Sequence, residues 1–236
     1  MNYNKKITIL LSYYNQSKNT LIRHIEHWKS FESKHEFSFS IIDDASRIHV
    51  TELLEDVDYT DLDLHVYRVQ EDLYCNIAGV RNLGAQQCNT PYMVILDMDT
   101  IINNTMSKRL LELVEKNKED KKVYKFNRRV PENEKHKKHN RPHPAICLIR
   151  KQDYWNIGGC EEDLVGHYGS TDPAFWHRAQ GKVKVNVCKD IYLLYYPDAE
   201  SNINRDTHHN IRLIESKKAK NNWSNDFVRF KWVKVI

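Results

Sequence analysis

Tyr92-Met93-Val94-Ile95-Leu96-Asp97-Met98-Asp99 is an apolar run that ends on two carboxylates one residue apart. Its length and its non-alternating, β-rich composition are those of a strand buried on both faces. Asp-x-Asp alone means little, because Asp56/Asp58 and Asp61/Asp63 repeat it within an acidic, weakly apolar stretch that reads as solvated surface. Only Asp97/Asp99 follow directly on a strand. Two short carboxylates held at a strand end can share Mg2+ or Mn2+ while leaving positions open for diphosphate oxygens. The plain alternative is a cap for a following helix near Thr105.

Outward from this run the chain alternates between two periods. Ile7 to Ser12, Phe37 to Ile42 and Leu64 to Val69 read as further strands. Between them, Leu21, Ile22, Ile25 and Trp28 recur at helical spacing behind Ser17 or Asn19 as cap, and Ile77, Val80 and Leu83 do so behind Asn76. Strand–helix alternation predicts an α/β fold, a mostly parallel central sheet flanked by helices, in a single domain over residues 1–236. Ligands of such sheets bind beyond the carboxyl ends of the strands. Those ends carry Ser12-Tyr13-Tyr14-Asn15, Asp43-Asp44-Ala45-Ser46 and Asp97-Met98-Asp99, three polar clusters on one edge. Later elements are strand-like Ala145 to Arg150, helix-like Pro173 to Ala179 and strand-like Ile191 to Tyr195, while Phe227 to Ile236 reads as an edge strand.

Composition removes several function classes. Only seven glycines occur, with no Gly-x-Gly-x-x-Gly and no Gly-x-x-x-x-Gly-Lys, so a nucleotide must be held without a glycine-rich phosphate loop. No apolar run is long enough to span a bilayer, and polar Met1 to Lys6 does not read as a signal peptide; a peripheral membrane contact stays open. Five cysteines without a Cys-x-x-Cys pair suit reduced thiols and a cytoplasmic location. The net charge of +4 is uneven: residues 116 to 141 hold eleven Lys/Arg against four Asp/Glu. Without interleaved aromatics for base stacking, this stretch reads as a solvated loop, and no nucleic-acid partner is expected.

The ordered motifs resemble the GT-A fold glycosyltransferases that use nucleotide sugars, family 2 in particular. Ser12-Tyr13-Tyr14-Asn15 is similar to that family's P-x-Y-N opening, with serine in place of proline, and Ile41-Ile42-Asp43-Asp44-Ala45-Ser46 to its V-V-D-D-G-S. Ala78-Gly79-Val80-Arg81-Asn82-Leu83-Gly84 resembles A-x-A-R-N-x-G, and Ile95 to Asp99 resembles F-L-D-x-D. Gly158-Gly159-Cys160-Glu161-Glu162 looks like G-G-F-D-E, and Tyr168-Gly169-Ser170-Thr171-Asp172 like Y-G-x-E-D, with threonine replacing the glutamate. The resemblance implies an inverting, metal-dependent transferase. Its partners would be a nucleoside-diphosphate sugar, usually a UDP-sugar, and a glycan or glycoconjugate acceptor.

By the same resemblance residues 1–100 form a nucleotide-binding half, and residues 101–236 an acceptor half with a C-terminal extension. Tyr13, Asn15, Asp43, Asp44, Arg81 and Asp97 would contact the donor, and Asp99, with Asp97, would hold Mn2+ or Mg2+. His208 or His209 would add a late metal ligand. Asp172 would be the general base, because an acceptor hydroxyl must lose its proton as the new C–O bond forms. Glu161, Glu162, Trp176 and His143 would meet the acceptor. Bland alternatives stand beside these: helix caps for Asp43/Asp44 and Asp172, a plain ion pair for Arg81, a solvated turn for Glu161/Glu162. A sugar-nucleotide nucleotidyltransferase also uses acidic metal ligands on an α/β sheet, but it opens with a Gly-rich, Arg-containing loop that strand one lacks here. The non-enzymatic rival is a nucleic-acid-binding module acting through residues 116 to 141.

Overall fold

β1 (Ile7–Tyr13) is buried along nearly its whole length on both faces, which is why its sequence runs apolar instead of alternating. A computed structural model describes residues 5–116, 121–197 and 203–236. After β1 come α1 (Lys18–Lys29), β2 (Phe37–Asp43), α2 (Val50–Leu53), β3 (Leu64–Val69), α3 (Ile77–Gln87) and β4 (Tyr92–Asp97). The chain continues through β5 (Thr100–Ile101), α4 (Asn104–Lys116), β6 (Lys122–Arg129), β7 (Pro142–Arg150), α5 (Lys151–Ile157) and α6 (Thr171–Ala179). It ends with β8 (Lys184–Tyr195), α7 (His208–Lys220) and β9 (Trp232–Lys234).

The strands join one sheet in the order β5-β8-β6-β7-β4-β1-β2-β3-β9. β4, β1, β2 and β3 are parallel, as the alternating sequence predicts. β7 runs antiparallel to β4 and β6, and β5 and β9 run antiparallel to their neighbours. The sheet is therefore mixed, not mostly parallel. Past β5 no complete strand–helix–strand crossover joins adjacent strands until β8; β6 returns directly into β7, a connection that only an antiparallel pair accepts.

Helices cover both faces. Ile7, Ile9 and Leu11 point to one side and pack with Leu21, Ile25 and Trp28 of α1 and Leu110 of α4. Leu10, Met93 and Ile95 point to the other, against Ala78 and Ala85 of α3, Tyr154 and Phe175. Ser17 caps α1, its hydroxyl accepting from Thr20 N at 3.3 Å. α3 sits tightly on the strands because a Cβ at Gly84 would come within 3.3 Å of Leu10 and Ile42. No helix among the described residues is long and apolar enough to cross a membrane.

The basic stretch differs from the expected solvated loop. Residues 122–129 are β6, with Val123 and Phe126 fully buried. The return segment is tied back by Asn140 N to Arg128 O at 2.8 Å and Val130 N to His139 Nδ1 at 3.0 Å. The expectation failed because Val123, Tyr124 and Phe126 are buried between partly exposed Lys122 and Lys125, and Arg128 is itself buried, so positive charge did not mark a loop here. Residues 1–4 and 117–120, covered by the leader and basic-stretch expectations, lie outside the described residues. The tail does form an edge strand, β9 pairing with β3.

Candidate active site

Register brings the three polar strand ends together. Tyr13 pairs with Asp43, and Ser12 lies beside both Ile42 and Asp97. Beyond them opens a cavity of about 430 Å3, lined by Tyr13, Tyr14, Asp44, Arg81, Asp97, Asp99, His143 and Asp172 among others. The Met98-Asp99 turn is fixed from below by buried His24 of α1, whose Nε2 donates to the Met98 carbonyl at 3.2 Å. Burial pushes the His24 pKa down to about 3, so the ring is a neutral strut.

Arg81 of α3 lies at the centre. Its Nη2 donates to Asp97 Oδ1 at 2.9 Å and its Nη1 to Asp172 Oδ1 at 2.7 Å. Burial alone would lower its pKa; the charges of Asp97 and Asp172 outweigh that and raise it well above the ordinary arginine value. Asp172 lies in the first turn of α6, while Ser170 occupies the cap position. The capping alternative for Asp172 is thus excluded, and its Oδ2 stays unbonded and accessible among the described residues.

The two adjacent aspartates divide. Asp44 lines the cavity, with Oδ2 accepting from Asn76 N at 3.2 Å and Oδ1 buried without a partner. Burial pushes its pKa up to about 7. Asp43 faces away from the cavity, accepting from Ser46 N at 2.9 Å and pairing with Arg68. It holds the turn after β2 and caps no helix, the next one being capped by His49, so the helix-cap alternative does not describe it. Asn15 also holds that turn: it adopts φ 56°, and its Oδ1 accepts from Arg47 N at 2.8 Å. The cavity instead receives Tyr14, the tyrosine of the P-x-Y-N match, which was not among the expected donor contacts.

His143 sits next to the acidic pair, Nε2 lying 3.6 Å from Asp99 Oδ1 and 4.0 Å from Asp97 Oδ2. Its Nδ1 accepts from Ala145 N at 3.2 Å and Ile146 N at 3.3 Å. In the neutral ring the proton therefore resides on Nε2, which makes His143 a donor facing the aspartates and not a lone-pair ligand. Among the described residues no three His, Cys, Asp or Glu side chains form a ready cation cage. Asp97 and Asp99 nonetheless fit Mn2+ or Mg2+: Asp99 Oδ1 is buried and unpartnered, and these ions complete their shells with water and substrate phosphates.

Several expected site residues lie elsewhere. Glu161 and Glu162 are buried and outside the cavity lining. Glu162 accepts from Asn82 Nδ2 at 2.8 Å, Val228 N at 2.7 Å and Arg229 N at 3.2 Å, and Glu161 accepts from Ser224 N at 2.9 Å. Both anchor the C-terminal tail, which leaves no oxygen for an acceptor. His208 is exposed and paired with Asp206, and His209 stacks on His167 at 3.7 Å; neither lines the cavity. Trp176 flanks it, Nε1 donating at 2.7 Å to the carbonyl of Pro144, a lining residue. Arg128 and Lys138 do line it, and the charge count of residues 116 to 141 was the signal that could have found them.

The model for glycosyl transferase family 2 matches residues 8–169. No curated protein sequence matches the chain. Solved structures share its fold. S. aureus TarS is 16% identical with a TM-score of 0.69 over 93% of this chain and 41% of that one. Its residues 1–349 in complex with UDP-GlcNAc give 15%, 0.69, 93% and 68%. GalNAc-T7 with UDP, GalNAc and Mn2+ is 15% identical, TM-score 0.65, covering 83% of this chain and 44% of that one. Mannosyltransferase PcManGT from Pyrobaculum calidifontis, in complex with GDP-Man and Mn2+, gives 13%, 0.62, 94% and 66%. The chain thus spans less than half of the longer TarS and GalNAc-T7 chains.

Proposed function

The chain belongs to glycosyl transferase family 2, and from that premise we propose that it moves a sugar from a nucleoside-diphosphate sugar to an acceptor hydroxyl with inversion at the anomeric carbon. One observation carries this reading: Arg81 joins Asp97, beside the unpartnered Asp99, to Asp172 within a single cavity. A donor bound along the carboxyl ends of β1, β2 and β4 would lay its nucleoside against Tyr13, Tyr14, Asp44 and Asn76. The unpartnered Asp44 and Asn76 side-chain atoms there suit a ligand rich in hydroxyl and amide groups. The UDP-GlcNAc of the TarS complex and the UDP of GalNAc-T7 favour a uridine donor, against the GDP-Man of PcManGT.

Asp99, with Asp97 behind it, would hold Mn2+ or Mg2+, the ion seen in two of the related structures being Mn2+. What a bound cation supplies is neutralisation of charge on the departing diphosphate. Asp172 acts on the acceptor: Oδ2 takes the hydroxyl proton as the oxygen attacks the anomeric carbon and the bond to the diphosphate breaks. Arg81 orients Asp172 through Oδ1, so the free oxygen is the one presented. His143 presents its Nε2 to the acidic pair at 3.6 Å from Asp99 and 4.0 Å from Asp97, too far for a hydrogen bond. The buried, unpaired thiols of Cys75, Cys88, Cys147 and Cys160 are in keeping with a reducing, cytoplasmic setting.

The test is the melting temperature across nucleoside diphosphates and their sugars, with and without Mn2+. UDP or a UDP-sugar with Mn2+ should raise it, because a ligand bound to the folded state stabilises by mass action. No shift with any nucleotide and any divalent ion would overturn the proposal.

A further inference from the structure

Two cations of the basic stretch meet on one aromatic ring inside the cavity wall. The Arg128 guanidinium lies 5.4 Å from the centroid of Tyr195, and the Lys138 ammonium lies 4.5 Å from it while also donating to the Tyr195 hydroxyl. Arg128 is buried to 7% exposure. It is fixed by Nε to Arg141 O at 3.4 Å and Nη2 to Pro142 O at 3.3 Å. Among the described residues no carboxylate forms an ion pair with it, and Asp99 is the acidic group whose field reaches it. A guanidinium kept buried on two carbonyls and a ring, with no carboxylate among the described residues paired to it, is poorly compensated. Burial accordingly lowers its pKa. The missing partner is an anion, and a planar fork with an adjacent point charge matches the tetrahedral oxygens of phosphate.

Strand order says where that anion would lie. The nucleoside end of the cavity is at β1 and β2, and the acidic pair follows β4. Arg128 lies at the penultimate position of β6, which stands beyond β7 from β4, two strand spacings or roughly 10 Å farther from the nucleoside. Pro144 of β7, between β4 and β6, lines the same cavity. Resting on the donor reading above, we propose that Arg128 and Lys138 form a phosphate-binding subsite on the acceptor side, and that the acceptor is a phosphate-bearing molecule and not a neutral glycan. The one other source of the same chemistry is the donor diphosphate.

Inorganic phosphate is the probe, titrated into the full chain by calorimetry with and without saturating UDP and Mg2+. Phosphate should bind the UDP-loaded protein, and R128Q and K138Q should each weaken it at least tenfold while changing UDP affinity less than twofold. The pair of variants, each checked for an unchanged melting profile, guards against loss of folding at buried Arg128. If phosphate competes with UDP and R128Q weakens UDP tenfold, the cations serve the donor diphosphate and the proposal fails. If phosphate fails to bind the wild-type protein, or both variants bind it like wild type, it fails as well. Absence of UDP binding by the wild-type protein would instead defeat the donor reading, with the phosphate titration of the UDP-free protein still deciding whether Arg128 and Lys138 bind phosphate.

Discussion

Arg81 and Asp172 lie 91 positions apart in sequence and 2.7 Å apart in the structure. The pair ties α3, in the parallel half of the sheet, to the first turn of α6. Through its second nitrogen Arg81 also holds Asp97, so one guanidinium separates two carboxylates that would otherwise repel. These contacts use two of the five guanidinium N–H groups, and Nε is buried without a partner. The bonds that Arg81 makes position Asp97 and Asp172.

Arg81→Gln should lower stability by about 2–3 kcal/mol, somewhat below the usual cost of halving a buried ion pair, because Asp97 and Asp172 are each about a quarter exposed. Arg81→Lys should recover part of it. Urea unfolding of the three proteins checks this; a loss under 0.5 kcal/mol for the glutamine variant would contradict the role given to the bridge.

The C-terminal tail should depend on Glu162. Glu162→Ala strands Asn82 Nδ2 and the amides of Val228 and Arg229, each group costing about 1–3 kcal/mol when left unsatisfied. Faster hydrogen exchange in β9 is expected, with UDP affinity changed less than twofold. Unaltered exchange in β9 would return Glu162 to the acceptor.

Asp44 makes stability pH-dependent in a definite direction. Its folded pKa of about 7 exceeds the ordinary carboxylate value of 3.8. Between those values the folded protein therefore holds a proton that the unfolded chain has released. Stability from this group is greatest at low pH and falls as pH rises from about 4 to about 7, by a few kcal/mol at most. Asp44→Asn removes the titration. Unfolding at pH 5 and pH 8 should find the variant gaining on the wild type at the higher pH; equal slopes would contradict the assignment.

Asp99→Asn should abolish the gain in UDP affinity that Mn2+ brings, a loss of tenfold or more, while leaving metal-free binding unchanged. Calorimetry with and without Mn2+ reads both. A variant that keeps the full Mn2+ effect would move the cation elsewhere.

Why some of this was legible in the sequence and some was not follows from where each residue finds its partners. β1 to β4 are bounded by local signals, apolar runs ending on Asp or Tyr, and those ends converge because parallel register leaves no other arrangement. Asp97 and Asp99 reach the cavity for that reason, whereas Asp172, in the first turn of α6, was legible only through its likeness to the Y-G-x-E-D segment. Glu161 and Glu162 were misread because their partners, Ser224, Val228 and Arg229, arrive some sixty residues later as a tail strapped across α3. His208 and His209 matched a segment by residue type, but α7 directs them to Asp206 and to His167. His143, expected at the acceptor, faces the acidic pair because antiparallel β7 brings it level with the Asp97-Met98-Asp99 turn. The lysines of β6 masked a strand because Lys122 and Lys125 fall on opposite faces, among Tyr124 and Phe126 on one and Val123 on the other, so neither face reads as apolar.

The most direct test measures donor binding and turnover together on Asp172→Asn. The account predicts a UDP-sugar affinity within threefold of wild type and a fall of at least a hundredfold in Mn2+-dependent UDP release, consistent with loss of a general base. Undiminished UDP release by this variant would contradict the assignment of Asp172 as the base and with it the catalytic reading of the cavity.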